Sequence, residues 1–577
     1  MSDIPRPEHP RPQLVREPWL SLNGPWEFEV DPGRSGRERG LPAAAKLAGR
    51  IVVPFCPESR LSGVGRTDFI PAVWYRRTVT LPDDWRGKRV LLHVGAADYQ
   101  SEVWVNGVSV GTHRGGYTPV TVEITDQLRP GENVIAICAE DDTRSPLQPT
   151  GKQSQRYESY GCFYTRTTGI WQTVWLEAVS RTYVSALRLS PDLESGRVLV
   201  EATVDGPDLD VTLEVEALAG GEVVGRATAH RSGNRAAALV DLARVRAWSP
   251  EDPFLYDLRL TLWRDGRALD LATSYFGLRT VRIEGRAITL NGAPRFQRLV
   301  LDQGFYPDGV YTAPSDEALR RDVELGRALG FDGARLHQKV FEPRYLYWAD
   351  RLGYLCWGEF PSWGLDLARG EALDRFLREW LEVLARDYSH PAIVGWCPFN
   401  ETSNRQNPEV LRAVYRVTKL YDPTRPVVDT SGYVHVETDV YDVHDYDQNP
   451  ETFAARYRPL AEGGEARRSF PRDDAPYRPG QPYFVSEYGG IWWNPGQRDE
   501  KSWGYGDRPR SEGEFLDRYR RLTECLLRHP KMCGFCYTQL TDVEQEVNGL
   551  CTYDRRPKFP PEVIRAINQQ PAAIEET

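Results

Sequence analysis

The feature that most constrains the fold is an alternation, from about residue 288 onward, between short apolar segments and longer amphipathic ones. A strand buried on both faces is continuously apolar, and polar residues begin where the chain leaves the core. Eight segments show this pattern: 298–302, 333–338, 354–360, 393–401, 426–432, 439–446, 483–490 and 534–542. Eight strand ends separated by helices within roughly 290 residues are typical of a (β/α)8 TIM barrel.

Segment 373–388 represents the helical half of this alternation. Its apolar residues recur at helical spacing and are Leu373, Phe376, Leu377, Trp380, Leu381, Leu384 and Tyr388. Such a stripe indicates an amphipathic helix that packs on a sheet. We therefore predict a C-terminal TIM barrel over residues 283–577.

The first 180 residues consist of short alternating segments separated by turn residues. Asn106-Gly107 stands between "VWV" and "VSV", which is a strong signal for a two-residue β-hairpin. We predict a jelly-roll β-sandwich over residues 1–180.

A second alternating block has the length and strand spacing of an immunoglobulin-like β-sandwich, and we assign it to residues 181–282. It lacks the Cys-Trp-Cys pattern of antibody domains, which fits a support domain. The chain has 577 residues, and a single hydrophobic core rarely grows beyond about 250–300 residues. We therefore expect a multidomain protein with three domains.

The charge of the chain limits its partners. The formal net charge is −10, whereas nucleic acids and anionic membranes attract basic surfaces. No segment approaches the ~18 apolar residues of a membrane span, and the first residues lack the apolar run of a signal peptide. We expect a cytoplasmic protein that binds neither nucleic acid nor membrane.

Two glutamates close apolar segments of the predicted barrel. Glu401 ends the fourth segment and Glu487 lies at the end of the seventh. These strands lie nearly opposite each other in an eight-stranded ring, so side chains at their carboxyl ends converge over the central cavity. Most glutamates are solvated surface residues, but two at matching strand ends favour catalysis. Paired carboxyls are the usual equipment of enzymes that cleave glycosidic bonds.

The residues around both glutamates resemble a known family. "FNE" (399–401) and "SEYGG" (486–490) are similar to the acid/base and nucleophile motifs of glycoside hydrolase family 2, which contains β-galactosidases, β-glucuronidases and β-mannosidases. Other segments resemble the family's jelly roll, its sandwich domain and its entry to the barrel, in that order: 53–65, 103–107, 167–177, 248–258 and 290–301. The resemblance covers almost the whole chain.

This resemblance implies a retaining hydrolase that works by double displacement on a carbohydrate. Glu401 would be the general acid/base and Glu487 the nucleophile, with the two carboxyls only ~5–5.5 Å apart. Asn400 resembles the amide that binds the sugar hydroxyl next to the anomeric centre. Tyr446 and Arg335 resemble the residues that hydrogen-bond and support the nucleophile.

Five more residues lie at or near strand ends and are expected to line the sugar pocket: His337, His444, Asp302, Trp363 and Gln539. For each of them, a packed side chain without a sugar contact is the competing interpretation.

Departures from the family bear on the substrate. The resemblance implies an Asn-x-Lys motif after the eighth strand in glucuronidases, whose lysine pairs with the uronate carboxylate, but this chain has Asn548-Gly549-Leu550 there. Because a buried carboxylate without a cation is unfavourable, we expect a terminal neutral sugar, such as a β-galactoside. A β-galactofuranoside, an α-L-arabinoside and a β-glucuronide are the alternatives.

Two rival functions stay open at this point. A sugar-binding module with the same domains would bind without cleaving, although it would not need an intact pair of glutamates. A transglycosylase would use the same pair and deliver the glycosyl group to a second sugar.

No cofactor signature is present in the sequence. It has no GxGxxG after a strand, no P-loop and no clustered His/Cys site. Pro361 and Trp363 stand where the large β-galactosidases of the family place magnesium ligands, so we expect no metal. The nine cysteines are predicted to be free thiols. The aromatic segment 157–169 is expected either to reach over the barrel mouth or to pack a homo-oligomer interface.

Overall fold

A computed structural model describes residues 4–470, 474–497 and 501–576. Its N-terminal part is a β-sandwich in which antiparallel sheets of four and six strands enclose a core that includes Trp26, Tyr75 and Val103. The strands are β1 (Trp19–Ser21), β2 (Gly24–Val30), β3 (Gly49–Val53), β4 (Ala72–Thr80), β5 (Arg89–Val94), β6 (Ala97–Asp98), β7 (Gln100–Val105), β8 (Val108–Arg114), β9 (Val120–Glu123), β10 (Glu132–Glu140), β11 (Gly169–Ile170) and β12 (Val174–Val179).

The hairpin at Asn106-Gly107 is present. β7 and β8 pair at Val105 and Val108, and Asn106 and Gly107 have φ values of 51° and 82°. Both residues are in the left-handed region that a tight two-residue turn requires, which explains the Asn-Gly sequence.

The second part is a β-sandwich of a three-stranded and a four-stranded antiparallel sheet. Its strands are β13 (Tyr183–Asp192), β14 (Arg197–Asp205), β15 (Thr212–Ala219), β16 (Glu222–His230), β17 (Arg235–Asp241), β18 (Tyr256–Arg264) and β19 (Arg267–Phe276). In β17, buried and exposed residues alternate strictly. This is the period of a sheet with one face in the core and one in water.

The third part is the TIM barrel. It follows a small sheet of β20 (Val281–Glu284), β21 (Ala287–Leu290) and β22 (Ala293–Pro294). The barrel strands are β23 (Gln297–Asp302), β24 (Gly333–Leu336), β25 (Leu355–Glu359), β26 (Ile393–Cys397) with β27 (Phe399–Asn400), β28 (Thr430–Ser431), β29 (Tyr441–Asp445), β30 (Tyr483–Tyr488) and β31 (Met532–Tyr537). The helices are α1 (Asp316–Ala328), α2 (Pro343–Leu352), α3 (Glu371–Asp387), α4 (Pro408–Tyr421), α5 (Pro450–Ala461), α6 (Glu512–Leu527) and α7 (Pro561–Asn568). Short 3-10 helices lie at Leu41–Ala43, Arg60–Ser62, Asp83–Trp85, Thr125–Gln127 and Ala573–Glu575.

The barrel strands run parallel in the order β26-β25-β24-β23-β31-β30-β29. β28, the fifth in the series, pairs instead with β27, the continuation of β26. Unlike β17, strands such as β23 and β30 are buried at every residue. They are enclosed by the barrel interior on one face and by the helices on the other, which matches their apolar sequences.

The N-terminal sandwich and the barrel share a hydrophobic core. Tyr117, Tyr164 and Trp171 belong to the same buried cluster as the barrel strands. The backbone N–H of Tyr117 also donates a hydrogen bond of 2.7 Å to Glu379 in α3. The sandwich is therefore packed firmly against the barrel and can contribute residues to its mouth.

Two further expectations can be compared with the structure. All nine cysteines are free, and seven of them are buried. Among the described residues, none of the helices is both long and apolar enough to cross a membrane.

Candidate active site

The two glutamates of the predicted pair meet at the mouth of the barrel. Glu487 lies within β30, and Glu401 directly follows β27. One carboxylate oxygen of each, together with one ring nitrogen of His444, lies within 4.8 Å of the others. The side chain of Glu487 is 6 % exposed and that of Glu401 is 19 % exposed. The pair is thus enclosed, and Glu401 is the more accessible member.

Glu401 sits at a sharp turn of the backbone. Its N–H donates a 2.8 Å hydrogen bond to the carbonyl of Ser431 in β28, and its φ is 50°. A left-handed conformation is uncommon for a glutamate and persists only where the surroundings hold it. The short pairing of β27 with β28 provides that support, so the strand ends at this residue.

Glu487 is stabilised in its ionised form. Arg335 donates to one oxygen over 2.6 Å, Tyr446 donates its hydroxyl to the other, and His444 lies 3.3 Å away. Burial alone would raise the pKa of this carboxyl, but His444 and Arg335, helped by the hydrogen bond from Tyr446, outweigh burial and lower it to about 2. Glu487 therefore carries a negative charge at any physiological pH.

Arg335 in β24 is the hub of the site. Besides Glu487, its guanidinium binds Glu359 at the end of β25 over 2.8 Å. Its other acceptors are Ser431 Oγ, the carbonyl of Ser486 and Asn400 Oδ1, at 2.7–2.9 Å. Two carboxylates share one buried cation, which fixes the orientation of the nucleophile candidate.

His337 also belongs to this cluster, since its Nδ1 lies 3.0 Å from Glu359. Burial, Lys152 and Arg335 together hold the pKa of His337 well below its ordinary value. The imidazole is therefore neutral and contributes hydrogen bonding rather than charge.

His444 bridges the two glutamates. Its Nδ1 lies 2.8 Å from Glu401 and 3.3 Å from Glu487, while its Nε2 lies 2.9 Å from Ser431 Oγ. The sequence predicted a pocket-lining residue here; the structure places the ring between both members of the pair.

Asn400, Trp363 and Gln539 are also at the mouth. Asn400 Nδ2 is buried and has no hydrogen-bond partner within the described part of the chain, so it offers a free donor beside the pair. The Trp363 indole donates to the carbonyl of Asn400 over 3.1 Å. Gln539 lies between Gln303 and Asn548, bonded to both at 2.7–2.9 Å.

Asp302 is directed elsewhere. Its carboxyl accepts from the N–H of Gly304 over 2.9 Å and from the hydroxyl of Tyr345 over 3.2 Å. Burial and the neighbouring Asp322 raise its pKa to about 6. None of these contacts joins Asp302 to the pair, so its predicted role in the sugar pocket finds no support in the geometry.

A second wall of the site comes from the N-terminal sandwich. The Phe163 ring packs on Trp363 with centroids 5.4 Å apart, and Tyr164 donates a 2.5 Å hydrogen bond to Glu546 of the loop after β31. Gln545 in the same loop donates to the carbonyls of Gly161 and Phe163. Segment 157–169 was expected either to reach over the barrel mouth or to pack a homo-oligomer interface. The structure places it over the barrel mouth.

Comparison with protein families identifies all three parts of the chain. The sugar binding domain of glycosyl hydrolases family 2 matches residues 64–174, a model described as glycosyl hydrolases family 2 matches 182–279, and the family's TIM barrel domain matches 315–570. This chain belongs to glycosyl hydrolase family 2. It is therefore a retaining glycosidase with the three-domain architecture of that family.

Curated relatives of this glycosidase include β-glucuronidases. The enzyme of Paenibacillus borealis is 26 % identical over 451 residues, which cover 72 % of this chain and 74 % of the relative. That of Felis catus is 28 % identical over 479 residues, 74 % of this chain and 70 % of the relative.

Solved structures show the same fold. The β-glucuronidase of Ruminococcus gnavus superposes with a TM-score of 0.79 at 20 % identity, covering 98 % of this chain and 100 % of that one. The Lactobacillus rhamnosus β-glucuronidase gives a TM-score of 0.80 at 19 % identity, covering 97 % and 98 %.

Several residues of the glycosidase site were missed by sequence reasoning. They are Lys152, Glu359, Ser431, Tyr505 and Glu546. Tyr505 stacks on Tyr446 with centroids 3.5 Å apart, and Glu359 shares Arg335 with Glu487. Glu359 ends a barrel strand as Glu487 does, so the strand-end pattern could have identified it. Lys152 lies in another domain and carries no such signal.

The site also bears on metal binding. In the described ranges, Glu401, His444 and Glu487 are the only group of His, Cys, Asp or Glu side chains close enough together to hold an ion. All three are already joined by hydrogen bonds to one another or to Arg335, Tyr446 and Ser431.

Proposed function

We propose that this chain is an exo-acting retaining glycosidase in which Glu401 is the acid/base and Glu487 the nucleophile. The proximity of the two side chains carries this assignment, because one oxygen of each lies within 4.8 Å of the other. Retaining enzymes need a separation of about 5–5.5 Å, whereas inverting enzymes need about 6.5–9.5 Å to admit a water.

In the first step, an oxygen of Glu487 attacks the anomeric carbon of the terminal sugar. The bond to the leaving oxygen breaks, and that oxygen takes the proton of Glu401. Arg335 and Tyr446 hold Glu487 ionised and aimed, which supports its role as the attacking group. The product is a sugar ester of Glu487 and a free aglycone alcohol.

In the second step, a water gives its proton to Glu401 and its oxygen attacks the anomeric carbon. The ester bond breaks and Glu487 returns to its ionised form. Glu401 suits both steps because it is the more exposed glutamate and can exchange a proton with solvent.

Asn400 supports binding of the hydroxyl beside the anomeric centre. Its Oδ1 is occupied by Arg335, which leaves Nδ2 as a fixed donor without a partner among the described residues. A donor that strengthens its hydrogen bond as charge develops stabilises the transition state more than the ground state.

A β-glucuronoside is the first candidate for the substrate. The curated relatives named β-glucuronidase match over about 70 % of this chain. They favour the glucuronide alternative over the neutral sugar that the missing lysine suggested. Leu550, on which that expectation rested, is fully buried in the core.

A neutral sugar such as a β-galactoside is the second candidate, because of Glu546. This buried carboxylate receives hydrogen bonds from Tyr164 and from Asn548 over 2.9 Å. It lies in the same wall as Gln539 and Asn548, and a carboxylate accepts from sugar hydroxyls but repels a uronate.

The assignment of the pair is tested by trapping. The enzyme is incubated with 2-deoxy-2-fluoroglycosyl fluorides of the glucurono and galacto series, digested and examined by mass spectrometry. We expect one sugar on the peptide that contains Glu487, no label on Glu487→Gln, and normal labelling of the surface control Glu317→Gln. A label on another residue would refute the assignment.

The stereochemistry and the sugar are tested on nitrophenyl glycosides. We expect NMR of the first product to show the β-anomer, as double displacement requires. Hydrolysis of the β-glucuronide but not the β-galactoside supports the first candidate, and the reverse supports the second. An inverted product would contradict the retaining mechanism.

A further inference from the structure

Lys152 of the N-terminal sandwich is a buried cation at the active site. Its side chain is part of a residue that is 6 % exposed, and Nζ lies 4.2 Å above the centre of the Trp363 ring. Within the described residues, no acceptor lies at hydrogen-bond or ion-pair distance from Nζ. Burial of an ammonium without such a partner is unfavourable, so this position calls for a functional explanation.

Other enclosed lysines of the chain show the contrast. Lys339 donates to the carbonyl of Tyr311 over 2.8 Å, and Lys558 donates to Asp542 over 2.6 Å. In both lysines, the protein itself supplies hydrogen-bond acceptors to the ammonium group. Lys152 is the one among these three that keeps its donors free, and it is the one that borders the pair.

The backbone holds Lys152 firmly in this position. The N–H groups of Thr150 and Gly151 both donate to the carbonyl of Trp363, at 2.7 and 3.1 Å. Gly151 has φ +56°, and a Cβ there would lie 2.3 Å from the carbonyl oxygen of Gln338. The loop is thus pressed against the barrel loops after β24 and β25, and only glycine permits this approach.

The surroundings keep Lys152 charged. Burial by itself lowers the pKa of its ammonium, but Cys162, Glu546, Glu487 and Glu401 outweigh burial and raise the pKa. Arg335 already neutralises Glu487, and burial raises the pKa of Glu546. Lys152 therefore keeps its positive charge, although no counter-ion among the described residues lies within ion-pair distance of Nζ.

We propose that Lys152 binds the carboxylate of a uronic sugar, so that the N-terminal domain supplies the cation that is absent at Asn548-Gly549-Leu550. A hydroxyl would need only a neutral donor such as Asn400 Nδ2, whereas a carboxylate repays the desolvation of an ammonium. This inference deepens the proposed function and rests on it.

The test compares substrates that differ only at C6. We measure kcat/KM for wild type, Lys152→Met and Lys152→Arg on two pairs of nitrophenyl glycosides. The first pair is the β-D-glucuronide and the β-D-glucoside, and the second is the β-D-galacturonide and the β-D-galactoside. We expect Lys152→Met to lower kcat/KM on the accepted uronide about a hundredfold and on its neutral partner less than about fivefold. Lys152→Arg should keep most of the uronide activity.

Controls separate failure of this inference from failure of the proposed function. Lys501→Met, which removes an exposed lysine near the same rim, should leave both substrates unchanged. Equal losses on uronide and neutral sugar, or a wild type that cleaves only the neutral partner, would overturn the role of Lys152 while leaving the glycosidase assignment intact.

Binding of the free sugars tests the role of Lys152 independently of catalysis. Calorimetric titration with D-glucuronate and D-glucose should show that Lys152→Met loses affinity for the acid alone. If wild type binds both equally, the inference is wrong even where hydrolysis is observed.

Discussion

The two walls of the active site differ in how their charges are compensated. On the barrel wall, Arg335 is shared by Glu359 and Glu487, and both carboxylate oxygens of Glu487 have hydrogen-bond partners. On the wall built by the N-terminal sandwich, the ammonium of Lys152 contacts the face of Trp363 and has no hydrogen-bond acceptor among the described residues. A network in which each charge has a partner fixes reacting groups in one geometry. A charge without a hydrogen-bonded partner is available to bind a ligand of opposite charge. In the proposed function, the barrel wall therefore carries the reacting groups, and the sandwich wall contributes a charge that recognises the sugar.

The largest expected effect is on the barrel wall. Glu487→Ala removes the attacking oxygen, and we expect kcat to fall by at least about 10⁴-fold. Added azide should then enter the vacated space and yield the α-glycosyl azide, which NMR can identify. A variant that stays active, or that azide rescues with the β-configuration, would contradict the role of Glu487.

The next largest effect concerns the shared cation. Arg335→Lys keeps one charge but cannot bind both Glu359 and Glu487, and we expect kcat/KM to fall about a hundredfold. Because Arg335 helps to hold the pKa of Glu487 at about 2, that pKa should rise in the variant. The acid limb of the pH profile should move to higher pH, since Glu487 must be ionised. An unshifted limb would show that Arg335 is only structural.

A smaller effect is expected from the loop that carries Lys152. Gly151→Ala places a Cβ 2.3 Å from Gln338 O in a left-handed conformation, so the loop must shift. We expect a loss of about tenfold in kcat/KM on the preferred substrate and a destabilisation of about 1–3 kcal/mol by denaturant titration. Gly233→Ala, in the second sandwich and also at positive φ (+59°) but with open space around it, is the matched control. Equal effects on kcat/KM would mean that the loop's position is unimportant for recognition.

The smallest effect on activity is expected where the N-terminal sandwich packs on the barrel helix α3, away from the site. Burial raises the pKa of Glu379 in α3 to about 8, above the usual value of about 4.3 in an unfolded chain. The stability linked to this carboxyl is fully present below about pH 4.3 and is lost as pH rises through 8. Glu379→Gln should remove this loss, so that its free energy of unfolding at pH 9 exceeds that of wild type by on the order of 1–3 kcal/mol. Its kcat at pH 6 should be unchanged.

Its neighbour Glu382 provides a control of opposite sign. His113 and Thr118 hydrogen-bond Glu382 and outweigh burial, so its pKa is lowered. Stability from Glu382 is present above the unfolded pKa and is lost as pH falls. Glu382→Gln should therefore not gain stability at pH 9; melting curves at pH 5, 7 and 9 for both variants test this difference.

Sequence reasoning was most successful where a signal is local. The eight barrel strands were predicted from their apolar segments, and Glu401 and Glu487 from the polar residues that end two of them. The fifth strand is less regular than its apolar segment suggested, since Thr430 and Ser431 pair with β27 while Val427 forms an isolated bridge to Trp396 of β26. Asp302 shows the limit of the rule, because a strand end does not specify which way a side chain points.

By itself, the sequence was enough to predict two β-sandwich domains, an α/β barrel and the position of two glutamates at the ends of barrel strands. Periodicity and turn residues are local properties, and they act before distant segments meet. Only the tertiary structure decided that His444 lies between the glutamates and that Lys152 reaches the barrel mouth. Lys152 and Trp363 are separated by about two hundred residues, and no local pattern records a contact that forms only when two domains pack together.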